Sequence, residues 1–160
     1  YFYMGATLLA LGKSDEAQGY YRKALQEYQL LAESEDPPNA ATYNNLAIVH
    51  GVLQQPEEAV HAFQRALQID PNQPKVQLNL GEGYYRLGRY KDSEACFREV
   101  LRMEPRNVRA HYNLGTAAWS LGRRQEAIEQ MRKTLRIDPR NQAAQTFLQQ
   151  ALASQSSERQ

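Results

Sequence analysis

LGEGYYRLGRYKDSEACFREVLRMEP, residues 80–105, contains the whole structural logic of this chain in 26 residues. Leu80, Gly81, Tyr84 and Leu87 stand at offsets 0, 1, 4 and 7, the spacing that lines one face of an α-helix. The pattern breaks at Leu87-Gly88-Arg89, where a glycine can take the left-handed backbone that closes a helix. A second periodic segment runs from Tyr90 to Met103, and Pro105 bars its continuation. The stretch therefore reads as two helices joined by a short turn. Ala, Leu, Gln, Glu and Arg dominate the chain and β-branched residues are sparse, so no strand is expected.

Working outward, the stretch repeats at 34 residues. Leu46, Leu80, Leu114 and Leu148 share this spacing, as do Leu53, Leu87 and Leu121, and Pro71, Pro105 and Pro139. So do Phe63, Phe97 and Met131; Leu67, Leu101 and Leu135; Ile69, Met103 and Ile137; and the acids Asp70, Glu104 and Asp138. A fixed period of this length marks a stacked repeat rather than one irregular domain. Small residues, Ala47 or Gly81 on the first helix and Ala59 or Ala127 on the second, leave room for two backbones to approach.

The shared unit resembles the tetratricopeptide repeat: an aromatic, Leu-Gly, an aromatic, a Leu-Gly turn, Ala, an aromatic, Ala and Asp-Pro. Residues 40–73 supply Tyr43, Leu46, Ala47, Ala59, Phe63, Ala66 and Pro71. The next unit supplies Leu80, Gly81, Tyr84, Phe97 and Pro105, and the one after it His111, Leu114, Gly115, Ala127 and Pro139. Gln77, Ser93 and Thr134 depart from the pattern without removing a helix. The resemblance covers nearly the whole chain. It implies an all-α fold, a right-handed α-solenoid of antiparallel helix pairs, with a capping helix at the C-terminus.

The expected organisation is a single array over residues 1–154, with units at about 1–39, 40–73, 74–107 and 108–141 and a capping helix at 142–153. The first unit is out of step. Its turn Leu11-Gly12 precedes Leu53 by 42 residues, and the eight extra residues make about two turns of a longer second helix. Asp36-Pro37-Pro38 then enforces an extended, stiff link. Gln149 takes the phase of Gly115, a bulky polar residue that suits a last, solvent-facing helix. The tail at 155–160 has too few apolar residues to stay ordered. Tyr1, Phe2 and Tyr3 offer no polar face, so further repeats are expected upstream.

The net charge of +1, from 19 basic and 18 acidic residues, supplies no overall field for nucleic acid or an anionic membrane. Cys96 is the only cysteine, which excludes an internal disulfide and a cysteine-rich zinc cage. No apolar run approaches the roughly 20 residues a bilayer requires, so no membrane insertion is expected. The chain reads as soluble, with the cytoplasm favoured. His50, His61 and His111 fall in three helical phases without a carboxylate or nucleophile at a shared spacing. Neither an enzyme nor a metal or cofactor site is therefore expected. His111 holds the phase of Tyr43 and is expected to pack, as is Cys96 beside Phe97.

In such a stack the first helices line the concave side, which makes that groove the expected binding surface. On the helix after Pro74, Lys75, Leu78, Asn79, Glu82, Tyr85 and Arg86 form one face beside the core stripe. Arg109, Tyr112, Asn113, Thr116 and Trp119 form it in the next unit, and Asn44, Asn45 and Ile48 in the preceding one. Asn45, Asn79 and Asn113 recur at the repeat spacing, and an amide both donates to and accepts from a peptide backbone. They resemble the asparagines that in some members of this family hold the main chain of an extended peptide. Tyr85, Tyr112 and Trp119 are the residue types favoured as interface anchors. The clamp that reads acidic chaperone tails is missing, because Asn44 stands where it needs Lys and Ile48 where it needs Asn.

The function expected from these features is a protein-interaction scaffold that binds an extended peptide or a helix of a partner protein in the concave groove. Self-association into a homo-oligomer, through the N-terminal edge or the convex face, is the alternative. An RNA-binding helical repeat shares only the helix-pair architecture, and the near-neutral total charge argues against it.

Overall fold

A computed structural model describes residues 1–157, with side-chain surroundings for 1–154. Nine helices form among them and no strand does. They are α1 (Phe2–Ala10), α2 (Ser14–Ser34), α3 (Ala40–Val52), α4 (Pro56–Ile69), α5 (Pro74–Arg86), α6 (Tyr90–Met103), α7 (Val108–Ser120), α8 (Arg124–Ile137) and α9 (Gln142–Ser157). The chain divides into two compact units, Tyr1–Gly83 and Tyr84–Gln160, the division falling inside α5.

All four short turns are built alike. Lys13 N–H donates to the Leu8 carbonyl, Gln55 to His50, Arg89 to Tyr84 and Arg123 to Ala118, at 2.9–3.0 Å. These bonds satisfy carbonyls that the helix end leaves open, and they require the residue before the donor to be left-handed. Gly12, Gly88 and Gly122 take φ of 76°, 72° and 77° there. The second repeat has Gln54 instead, at φ 60°, the one non-glycine residue reported with positive φ among the described residues. A side chain at such a position costs about 1–2 kcal/mol relative to ordinary helical backbone.

Helix starts follow the repeat as well. Asn39 accepts from Ala41 N–H at 2.8 Å, Asn107 from Ala110 N–H at 2.9 Å and Asn141 from Ala144 N–H at 3.0 Å. Each satisfies a donor that the first turn cannot pair internally. Pro56 opens α4, where a missing N–H costs nothing. The long second helix is present: α2 has 21 residues. The last helix runs past its expected end at Ala153 to Ser157, since no Gly or Pro interrupts Gln149–Ser157. Of the expected disordered tail, residues 158–160 lie outside the described residues.

In the N-terminal unit α1 packs on α2, α2 on α3 and α3 on α4. Ala17, Tyr21, Ala24 and Val49 form a buried cluster, flanked by Phe2, Leu8, Leu25, Tyr28, Val52 and Leu53. Gly5 lies against the Tyr21 ring, 3.1 Å from where a Cβ would stand, and the Phe2 ring meets Tyr21 edge-on at 5.7 Å. Gly83 makes the same allowance for α4, because a Cβ there would meet Val60 at 2.9 Å. Thr42 donates to Glu35 at 2.9 Å, tying the link before α3 to that helix.

In the C-terminal unit α6 packs on α7, α7 on α8 and α8 on α9. Phe97, Val100, Leu114, Ile128 and Met131 are fully enclosed, each large side chain contributing about 2–3 kcal/mol of burial. Gly115 sits where a Cβ would be 2.8 Å from Met131 Cε and 3.3 Å from the Ala127 carbonyl oxygen. Among the buried polar residues of this unit, two lie on α6. Ser93 takes the phase of Ala59 and Ala127, and its buried Oγ finds no partner. Glu94 takes the phase of Val60 and Ile128 and is also buried.

Two stability changes follow. Gln54→Gly relieves the left-handed side chain but frees the unfolded chain, for a net gain of about 0.5–1 kcal/mol in chemical denaturation. Ser93→Ala removes an unpaired buried hydroxyl and raises stability by about 1 kcal/mol in the same assay.

Candidate functional site

The face expected to bind is placed on the two units in different ways. In the N-terminal unit Asn44, Asn45 and Ile48 are half-buried on α3, and Asn44 Oδ1 is shut from solvent without a hydrogen bond. On α5 Lys75 is exposed, while Asn79 and Glu82 are partly exposed. Leu78 does not belong to this face. It is 5% exposed, because it precedes the buried Gly81 by three residues and so shares its side of the helix.

The C-terminal unit brings more of the expected residues together. Tyr112, Asn113, Thr116 and Trp119 form a half-buried stripe along α7, with Arg109 exposed at its start. Thr116 Oγ1 donates to the Asn113 carbonyl at 2.8 Å. Trp119 is held on two sides: the Phe147 ring of α9 meets it edge-on at 5.1 Å, and the Arg124 guanidinium lies 4.0 Å over its face. Such packing fixes the indole while leaving part of it open. Tyr85 shares its hydroxyl hydrogen bond with Ser120 at 3.0 Å and stacks at a tilt on Tyr90 at 5.2 Å. Arg86, on the last turn of α5, is exposed.

Two of the three histidines and the cysteine are engaged in packing. His111 Nε2–H donates to the Pro105 carbonyl at 3.1 Å, and Nδ1 pairs with the Gln130 amide at 2.8 Å. Buried His50 pairs through Nδ1 with Gln55 at 2.8 Å, and His61 is exposed. Burial, with Asp92 adding to it, pushes the Cys96 thiol up to about 12, far from the thiolate needed for nucleophilic or redox chemistry. Among the described residues no group of three or more His, Cys, Asp or Glu is placed to hold a metal ion. No helix of those residues is long and apolar enough to cross a membrane.

One cluster was not anticipated from the sequence. Glu94 accepts from Arg98 at 2.7 and 3.1 Å and from Arg123 at 2.7 and 2.9 Å, and Arg98 also reaches Glu126. The four residues fasten α6 to the start of α8. Both arginines keep about half of their side chains in water (54% and 45% exposed), so the charges are only partly desolvated and the network does not carry the full penalty of a buried pair. The signal in the sequence was a carboxylate at a phase that is Val or Ile elsewhere.

Family models described as tetratricopeptide repeat match residues 1–72, 53–101 and 78–142. The photosystem I assembly protein Ycf3 of Synechococcus sp. (strain CC9605) is 32% identical over 80 residues, 49% of this chain and 46% of that protein. The chain spans about half the length of the curated relatives it matches. Among solved structures, a crystal structure of MamA superposes with a TM-score of 0.73 at 21% identity, covering 98% of this chain and 86% of the other. The first TPR of Spaghetti (RPAP3), bound to the HSP90 peptide SRMEEVD, gives 0.71 at 19% identity, covering 74% and 94%. At these identities the structures establish the fold alone. With the helix pairs, their left-handed turns and three matching family models in agreement, this chain belongs to the tetratricopeptide repeat family.

Proposed function

We propose that this chain is a protein-interaction module that holds an extended segment of a partner on its first helices, with the α7 face of the C-terminal unit as the principal surface. The observation that carries the reading is the stripe of Tyr112, Asn113, Thr116 and Trp119, half-buried and flanked by Phe147 and Arg124. An amide at Asn113 suits the backbone of a strand-like peptide, whose N–H and C=O groups alternate along its edge. A fixed, partly open indole suits an apolar side chain of that peptide at little cost in entropy. Asn45 and Asn79 occupy the same repeat phase on α3 and α5 of the N-terminal unit and are proposed as a second, separate holding face.

An assembly protein among the relatives and a peptide-bound structure among the neighbours support a role in holding other proteins. Specificity for an acidic chaperone tail is not carried over, since Asn44 and Ile48 replace the required Lys and Asn. The reading assigns the chain no reaction of its own: His50 and His111 are engaged in packing bonds and the Cys96 thiol stays protonated.

Selection of a displayed random-peptide library on the chain, followed by titration of the recovered peptides, tests the assignment. Asn113→Ala is expected to weaken them by about tenfold, the loss of one or two backbone hydrogen bonds, with the melting temperature little changed. Tyr112→Ala is expected to weaken the apolar-anchored subset further. Unchanged affinity in both variants would place the peptide elsewhere.

A further inference from the structure

The total charge of +1 is a near-cancellation of two unlike halves. Residues 1–83 carry five basic and ten acidic side chains, net −5, whereas residues 84–160 carry fourteen and eight, net +6. The charges also follow the repeat. In the N-terminal unit Asp15 and Glu16 open α2, and Glu57 and Glu58 open α4; all four are exposed in a first helical turn, where the helix dipole favours carboxylates. Glu16 is paired with Lys13 at 3.0 Å.

In the C-terminal unit arginines recur at the repeat spacing on the second helices and the turns after them: Arg98 and Arg132, Arg102 and Arg136, Arg106 and Arg140. The same phases in the preceding repeat are neutral, Gln64, Gln68 and Asn72. Arg98 is committed to Glu94 and Glu126, and Arg102 to Glu99 at 2.7 Å. Arg106, Arg132, Arg136 and Arg140 are exposed, and an open hollow on α8 is lined by Glu129, Arg132, Leu135 and Arg136. The acids on this face are already occupied. Glu129 accepts from Lys133 at 2.9 Å, Glu104 from Asn107 at 2.7 Å, and Asp138 from the Arg140 backbone N–H at 3.2 Å.

We propose that the Arg132, Arg136 and Arg140 face of one copy docks the acidic openings of α2 and α4 in a second copy. Each side presents its charges as groups recurring along the repeat, and guanidinium forks match carboxylates two bonds at a time. The contact joins two different patches, one on each unit, so every copy carries both an arginine face to offer and an acidic face to receive. A second copy fits better than a nucleic acid. The arginine face is interrupted by Glu129, Glu104 and Asp138 and carries no aromatic platform for bases, whereas a polyphosphate favours an unbroken basic track. The contact uses none of the α7 residues assigned to peptide holding, so it stands or falls separately from that function.

Sedimentation velocity over rising concentration, at about 20 mM and about 500 mM NaCl, reads the contact against its screening by salt. The chain is expected to associate at low salt and to lose that association by about tenfold or more at high salt. Two charge-reversal variants, Arg132→Glu/Arg136→Glu/Arg140→Glu and Asp15→Lys/Glu57→Lys/Glu58→Lys, are each expected to be monomeric with unchanged helical circular dichroism. Their equimolar mixture is expected to associate again, because each supplies the face the other needs. A wild-type chain that stays monomeric at low salt, or association that both reversals leave intact, overturns the proposal. So does salt-dependent capture of an RNA oligomer by the arginine face without any self-association.

Discussion

An antiparallel helix pair closes within two or three residues only if one of them turns left-handed. Everything else in this chain hangs on that reversal. Gly12, Gly88 and Gly122 meet the requirement without a side chain, and Gln54 meets it under strain, yet all four turns make the same hydrogen bond back across the helix end. The reversal sets where the second helix begins, and small residues then set how closely it packs. Gly5 beside Tyr21, Gly83 beside Val60 and Gly115 beside Met131 each occupy a spot where a Cβ would crowd its neighbour. With one side of α7 committed in this way to Ala127, Gln130 and Met131, its other side is left to Tyr112, Asn113, Thr116 and Trp119. The face proposed for binding is thus a geometric consequence of the packing face.

The α6–α8 contact shows how a repeat absorbs residues that break its rule. Ser93 and Glu94 sit at phases that are apolar in the neighbouring repeats, and the two fare differently. Ser93 leaves a hydroxyl with no partner, a small cost that a tight Ala-sized site must carry. Glu94 recruits Arg98 from its own helix and Arg123 from the start of α8, so its charge is met by four short contacts. What the packing loses in apolar surface there it partly regains as a directional tie between two second helices.

Most of the helical organisation was legible in the sequence, for a physical reason. A repeat has to bury the same face every time, so Leu46, Leu80, Leu114 and Leu148 advertise the helix pair four times over. Periodicity was less informative at boundaries and borders. By its phase Leu78 falls on the open face, but it stands one turn from Gly81 and is buried with it. Helix α9 ran on to Ser157 because polar composition alone, without Gly or Pro, does not stop a helix. The partners of the candidate site were not legible at all. Ser120 at Tyr85 and Phe147 at Trp119 lie 35 and 28 residues away in sequence and meet only in the folded unit. The charge division was present in the sequence, but a sum over the whole chain cancels it; only counting by unit exposes −5 against +6.

The claim that α7 holds peptide backbone is tested most directly by the side-chain signals of that face. In a two-dimensional ¹H–¹⁵N spectrum, titration with a selected peptide should move the Asn113 side-chain amide and the Trp119 indole N–H together, leaving the guanidinium signals of Arg132 and Arg136 in place. Shifts confined to α8, with Asn113 and Trp119 unmoved at saturation, would contradict the account.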